Sequence, residues 1–300
     1  AERRLGRMIE QCGLDAMPAD DWLALVLFSA CHDLRQREVK DAPGPVGGNE
    51  ASSISETFRI LDICGFDQAS DRSIYVAMEL MIAGSTFDPR LSEASPDTTN
   101  LTGGALARSL GLWLDGVKPS WREDQDARRG ERLGRLAADI DTANVGEAFS
   151  LLGRSALQLA EEQLMRRKLN PEQAESAQQA LSFLSYGQQH YFFDLHRFSS
   201  REAERVFGPQ KLANSEKVRN TSAALTAHFE SSPAANGRSR ARNSSSAAAP
   251  APEVTILTVL RSLPIRCRPL SAAAPTTMAV PCWSSWKTGI FIRSRSLRST

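Results

Sequence analysis

Apolar residues recur at helical spacing, segment after segment, through residues 1–230, and nowhere there do they alternate singly with polar ones. A period near 3.6 residues marks an amphipathic helix and a period of two marks a strand, so the pattern admits an all-α fold. In "ERRLGRMIEQCGL" the apolar positions are Leu5, Met8, Ile9 and Cys12. "PADDWLALVLFSACHD" follows, with Asp20 and Asp21 at its head, where carboxylates favour a helix N-terminus. Trp22, Leu23, Leu25, Val26, Leu27 and Phe28 run around its circumference, which predicts a helix buried on all sides. "KDAPGPVGGNE" reads as a loop, and "NEASSISETFRILDICG" as a helix stopped by Gly65. "DRSIYVAMELMIAGSTFD", "LTGGALARSLGLWLDG" and the long stretch from Ala127 continue the series. The charges of "REDQDARRGERLGR" read as a solvated loop and helix start. Pro171 is expected to open a long helix through "YGQQHYFFDLHRF". "SSREAERVF" and "SEKVRNTSAALTAHF" are expected to be two closing helices.

The pattern fails near Ser232, and the charge changes with it. Residues 233–300 hold 10 of the 36 Lys+Arg and only Glu253 of the 35 Asp+Glu, so they carry +9 and the first 232 residues −8. "SPAANGRSRARNSSSAAAPAPE" is low-complexity and expected to be disordered. The remainder is basic without a sustained period, as a tail for nucleic acid or acidic membranes would be, or as an out-of-frame GC-rich reading would be. The second reading is preferred, so nucleic acid is not expected as a partner. No 18-residue apolar run is present, so no membrane span is expected. The five cysteines (Cys12, Cys31, Cys64, Cys267, Cys282) form no CxxC pair, and three lie in apolar helical contexts as buried thiols. A cytoplasmic setting is expected.

One of only four histidines stands beside a carboxylate, His32–Asp33, at the end of the most apolar helix. Neighbouring helical residues point about 100° apart, so both can approach one cation only at the helix end. An imidazole and a carboxylate suit zinc, manganese or iron, and a carboxylate alone suits magnesium. Equally, His32 can cap the last carbonyls while Asp33 faces water. Asn49 and Glu50 open the next helix. Asp139 and Asp141 lie in an otherwise apolar helix, where a carboxylate is costly unless it is paired or binds a cation. For Asp141, local capping with Thr142 is the competing reading. His190 and His196 are six positions apart and do not share a face. His228 reads as a surface residue, and "HYFFDLHRF" as core.

The order of "ACHDL", "NEASSI", "MIAGSTFD", "DIDTANV" and "YGQQHYFF" resembles the HD superfamily of metal-dependent phosphohydrolases. It is most similar to the class I 3',5'-cyclic-nucleotide phosphodiesterase branch and its bacterial relatives. The resemblance covers residues 1–230 and implies a multi-helix bundle. It implies a metal held by His32, Asp33 and Asp141, with Asp139 as the other register of the Asp-x-x-Asn segment ending at Asn144. A Zn/Mn/Fe-class ion would take the His/Asp site and Mg²⁺ a second site through Asp33. Gln189 and Phe192 match the family's Gln-x-x-Phe, whose side chains clamp a purine. The family also carries an H-N-x-x-H segment before the doublet. No histidine precedes His32, and the family's intervals place that segment a few residues before Ala1, which implies N-terminal truncation.

The implied function is hydrolysis of a phosphoester, possibly a cyclic nucleotide, by metal-activated water, with Asp33 and Glu50 in catalytic roles. Glu50 either orients water or is simply an N-terminal helix charge. Gln189 either reads a base edge or lies at the surface, and Phe192 either stacks on the base or packs inward. The alternative function is a catalytically silent helical scaffold for ligand sensing or protein contact. Oligomeric state is left open.

Overall fold

The helical periodicities resolve into nine α-helices in a computed structural model that describes residues 1–35, 45–87, 104–166, 168–169 and 174–230. They are α1 (Glu2–Cys12), α2 (Ala19–Cys31), α3 (Gly48–Ile63), α4 (Arg72–Gly84) and α5 (Leu110–Val117). Then come α6 (Gln125–Thr142), α7 (Phe149–Arg166), α8 (Ala174–Ser182) and α9 (Arg201–Glu230). Two π-helical turns, Phe183–Gly187 and His190–Leu195, carry the chain from α8 toward α9. The only β pairing among the described residues is one bridge between Phe87 and Ala105, so the fold is all-α. No described helix is long and apolar enough to cross a membrane.

The core forms around α4 and α6. In α4 Tyr75, Ala77, Met78 and every residue from Leu80 to Gly84 are buried, as its nearly unbroken apolar run requires. Met78, Met81 and Ile82 meet Leu133, Leu136 and Ile140 of α6 in one cluster with Trp22, Leu25 and Phe28 of α2 and Phe207 of α9. The α4–α6 approach depends on two small residues. A Cβ added at Gly134 would stand 2.8 Å from the Leu80 carbonyl oxygen, and one at Gly130 3.1 Å from that of Val76. Asp124 starts α6 by accepting from the amides of Asp126 (3.0 Å) and Ala127 (3.2 Å), the arrangement of an N-cap. Arg72 of α4 and Lys118 also bind it and hold its carboxyl well below the usual carboxylate range. Gly65, at φ +87°, ends α3 as the sequence predicts.

Several expectations change. Helix α2 is not buried on all sides: Trp22, Ala24, Leu25 and Phe28 face inward, while Leu23 and Val26 are about half exposed (52% and 48%). Asp21 does more than favour the helix dipole. It is buried and held by Arg129 Nε at 2.7 Å and by Arg132, so the "REDQDARRGERLGR" charges are partly a buried ion network rather than a solvated face. The two closing helices are one, α9, which continues through Pro209. A proline there deletes one backbone bond and disturbs its neighbours, and Arg7 donates to the nearby Val206 carbonyl at 3.1 Å. Of the three thiols read as buried, Cys12 and Cys31 are half-buried and Cys64 is exposed. Cys267, Cys282, Pro171 and residues 231–300 lie outside the described residues, as do 40–44 of the expected loop.

Two glycine substitutions are expected to move stability in opposite directions. Gly134→Ala should cost about 1–3 kcal/mol, because the steric clash outweighs the gain in helix propensity. Gly6→Ala, where a Cβ meets nothing within 4 Å, should stabilise by about 0.5–1 kcal/mol. Urea unfolding of both variants measures this.

Candidate metal centre

Helix α2 ends at Cys31, and His32 occupies its C-cap with φ −60° and ψ −28°. One turn back, the Phe28 carbonyl oxygen accepts from the His32 backbone amide at 3.0 Å and from ring Nδ1–H at 3.0 Å. A carbonyl can only accept, so Nδ1 carries a proton and Nε2 is the nitrogen turned outward. Nε2 lies 3.1 Å from Asp33 Oδ2 and 3.2 Å from Asp141 Oδ1. The ring thus caps the helix end through Nδ1 and leaves Nε2 facing the two carboxylates.

Asp141 reaches this point because it sits at the last turn of α6, the negative end of the helix dipole, where backbone donors are absent. Thr142 does not cap it; its Oγ1 donates to the Ala138 carbonyl oxygen at 2.8 Å. Glu50, in the first turn of α3, lies within the field of the same groups. Burial pushes its carboxyl up; its own backbone amide opposes this, and the charges of Asp33 and Asp141 add to the rise.

The donor set can be tested for a metal on its chemistry. A neutral Nε2 and two carboxylates are all acceptors, so their contacts at 3.1 and 3.2 Å need a positive species among them. A proton is one solution. Burial alone lowers the His32 pKa, but the hydrogen bonds from Asp141 and Asp33 overcome it and carry the ring up to about 10. A divalent cation is the other. At metal–ligand distances of about 2.1 Å, adjacent ligand atoms stand about 3.0 Å apart in an octahedron and about 3.4 Å in a tetrahedron, which brackets the observed spacings. Among the described residues no group of three or more His, Cys, Asp or Glu side chains is placed so that it could hold a metal ion as it stands. The fit is therefore one of donor type and spacing, with closure left to the Asp33 side chain, which is 55% exposed.

The alternative register is excluded by placement. Asp139 is buried and accepts from Ser199 N (2.7 Å), Ser200 N (2.7 Å) and Ser200 Oγ (2.6 Å), capping the start of α9. Burial pushes its carboxyl up to about 6, against these hydrogen bonds. The carboxylate that looked costly in an apolar helix is thus answered by another helix's amides. Gln189 and Phe192 do not form an open clamp. Gln189 donates to Ser222 Oγ at 2.5 Å, and Phe192 is 2% exposed in a cluster with Val145, Leu152 and Val218. Its rings' faces are taken by core neighbours, so Phe192 has none to offer a base. His190 pairs with Asp194 at 2.9 Å, far in role from buried His196, and the His228 side chain lies outside the described residues.

Sequence reasoning missed the support beneath Asp141. Tyr191 Oη lies 3.0 Å from Asn144 Oδ1 and 3.2 Å from the Thr142 carbonyl oxygen, pinning the turn that follows α6. His196 stacks edge-on to Tyr191 and accepts from Lys211 Nζ at 3.1 Å through Nδ1; burial and then Lys211 bring its pKa down to about 3. The tyrosine in "HYFF" was the available signal. Comparisons with protein-family models, with curated proteins and with solved structures gave no match for this chain.

Asp139→Ala should destabilise by about 2–4 kcal/mol, since it uncaps α9 and strands two buried amides; denaturant titration with a near-UV signal checks this. His32 gives a pH prediction for metal-free protein. Its folded pKa is raised from 6.5 to about 10, so its contribution to stability is complete below pH 6.5 and is lost as pH rises toward 10. The wild-type minus His32→Gln difference in unfolding free energy should shrink across that window.

Proposed function

We propose that the chain is a metal-dependent hydrolase of a phosphoester, built as the resemblance to HD-type phosphohydrolases implies. The observation that carries this is the meeting of His32, Asp33 and Asp141 across 109 positions of sequence at 3.1–3.2 Å. His32 Nε2, Asp33 and Asp141 would hold a zinc-, manganese- or iron-class ion, and Asp33 in addition a hydrated Mg²⁺. A bound divalent ion lowers the pKa of its water toward neutrality and offsets charge on phosphate oxygens.

The chain's own residues supply the rest. Phe28 fixes the His32 tautomer through its carbonyl, the role that oriented backbone acceptors play behind metal-binding histidines. Asp141 is held by the turn that Tyr191 and Asn144 brace. Glu50, with its carboxyl raised by burial and by two neighbouring carboxylates, is suited to take and return a proton at the site's edge. A cyclic nucleotide as substrate rests on the resemblance alone, because Phe192 is core and Gln189 is engaged by Ser222.

The silent-scaffold reading has one observation in its favour. The same geometry with a proton in place of a metal is a self-satisfied imidazolium between two carboxylates. Metal content separates the readings. After dialysis against Zn²⁺ or Mn²⁺, wild-type protein should retain about one ion per chain, and Asp141→Asn or His32→Ala should retain none. Hydrolysis of a generic aryl phosphodiester should follow the metal and fall by roughly 100-fold or more in Asp33→Ala. Activity that survives Asp33→Ala would exclude this site, and absence of bound metal in the wild type would favour the scaffold.

A further inference from the structure

A second concavity opens between α6, the start of α9 and the end of α1, with a volume of about 340 Å³. Four arginines line it, Arg132 and Arg135 from α6 and Arg201 and Arg205 from α9, against one acid, Glu202. Two of the four are already answered, Arg132 by Asp21 and Arg135 by Glu131. The other two are not. Arg205 donates to Cys12 Sγ at 3.3 Å; of the answered pair, Arg132 has a second amine that faces Met17 Sδ at 3.9 Å. Sulfur is the weakest acceptor a protein offers, so these donors lack strong partners. Arg201 has no carboxylate partner among the described residues. The excess of positive charge is local, because the first 232 residues together carry −8.

The larger groove beside α2 makes a useful contrast. It holds about 880 Å³, but its lining carries as many acids as arginines, with Asp20, Asp21 and Asp71 beside Arg128, Arg129 and Arg132. Charge there is balanced, and at the α9 cleft it is not. The amides of Ser199 and Ser200, just ahead of α9, are occupied by Asp139, and that of Ala203 by Ser200 Oγ. What remains is a set of guanidinium forks, whose planar donor pairs match the oxygens of phosphate and carboxylate.

We infer that this cleft binds a small, multiply charged oxyanion, a phosphate or polycarboxylate group, gripped by Arg201 and Arg205 with Arg132 and Arg135 behind them. The volume is at the lower end for small-molecule sites, about 300–1,000 Å³, which suits a diphosphate or a tricarboxylate. The site is separate from the His32 centre and does not depend on a metal or on hydrolysis.

The test titrates the full chain with inorganic pyrophosphate and, separately, citrate, in buffer stripped of metals on a chelating resin, with sodium chloride at matched ionic strength as reference. Calorimetry should show saturable binding of at least one of the two, and which one binds assigns phosphate or carboxylate. Arg201→Gln with Arg205→Gln, both at exposed positions, should weaken it by about 30-fold or more, as expected for loss of two charge-assisted contacts. Arg128→Gln, an equally exposed arginine outside the cleft, should leave it unchanged. Binding no stronger than the chloride reference, or equal binding by the double variant, would overturn the inference. Equal weakening by Arg128→Gln would also overturn it, since the effect would then be general electrostatics.

Discussion

The closeness of α4 to α6 fixes the rest of the molecule. Glycines at 130 and 134 let the α6 backbone approach the Val76 and Leu80 carbonyls of α4, a distance that any side chain at those positions would enlarge. That contact seats Leu133, Leu136 and Ile140 in the core. It thereby sets where α6 ends, and its end is where Asp141 meets His32. A helix displaced outward by even a methyl group would carry the carboxylate with it, because the interior is close-packed and transmits strain.

Three acidic side chains on two helices illustrate how one residue type acquires different roles. Asp21 lies near the start of α2 and is neutralised by Arg129 and Arg132. Asp139 faces the start of α9 and finds amide donors there. Asp141, two residues later, points from the C-terminal end of the same helix, where carbonyls rather than amides are exposed. Only its situation calls for an external or protonic cation. Burial alone does not mark the chemical site; the least buried of the three carboxylates is the one left to His32.

Much of the fold was legible because periodicity reports burial directly. The run "YVAMELMIAG" reads as a buried helix and is one. The His32 end position also followed from the sequence, since a doublet can face one point only where the helix stops. What was not legible depended on partners distant in sequence. Asp139 and Asp141 are equivalent on composition, and nothing local indicates that Ser199 and Ser200 will claim the first. The two closing segments read as separate helices, but the chain continues through Pro209 as the single helix α9. Apolar residues on every side of α2 argued for complete burial, but the described helices leave Leu23 and Val26 about half exposed. Phe192 was ambiguous for the reason most aromatics are: the same ring serves a core or a ligand, and only its neighbours decide.

Under the proposed function a proton and a metal would compete for one position at His32, and the surrounding structure bears on which would win. His32 is nearly immobile, held at Nδ1 by Phe28 and packed on that residue's ring at 4.7 Å. Asp141 is part-buried on a braced turn, while Asp33 is the exposed member. A proton needs only one short contact to each oxygen, whereas a metal needs all three donors directed at its centre. The cost of closure would therefore fall mainly on the most exposed of the three, Asp33, and little on the two that the core positions. Because a metal at Nε2 would have to expel a proton whose pKa is raised to about 10, its affinity would strengthen as pH rises. The two carboxylates act on both sides of that competition, since the negative charge that holds the proton is the charge that would hold the ion.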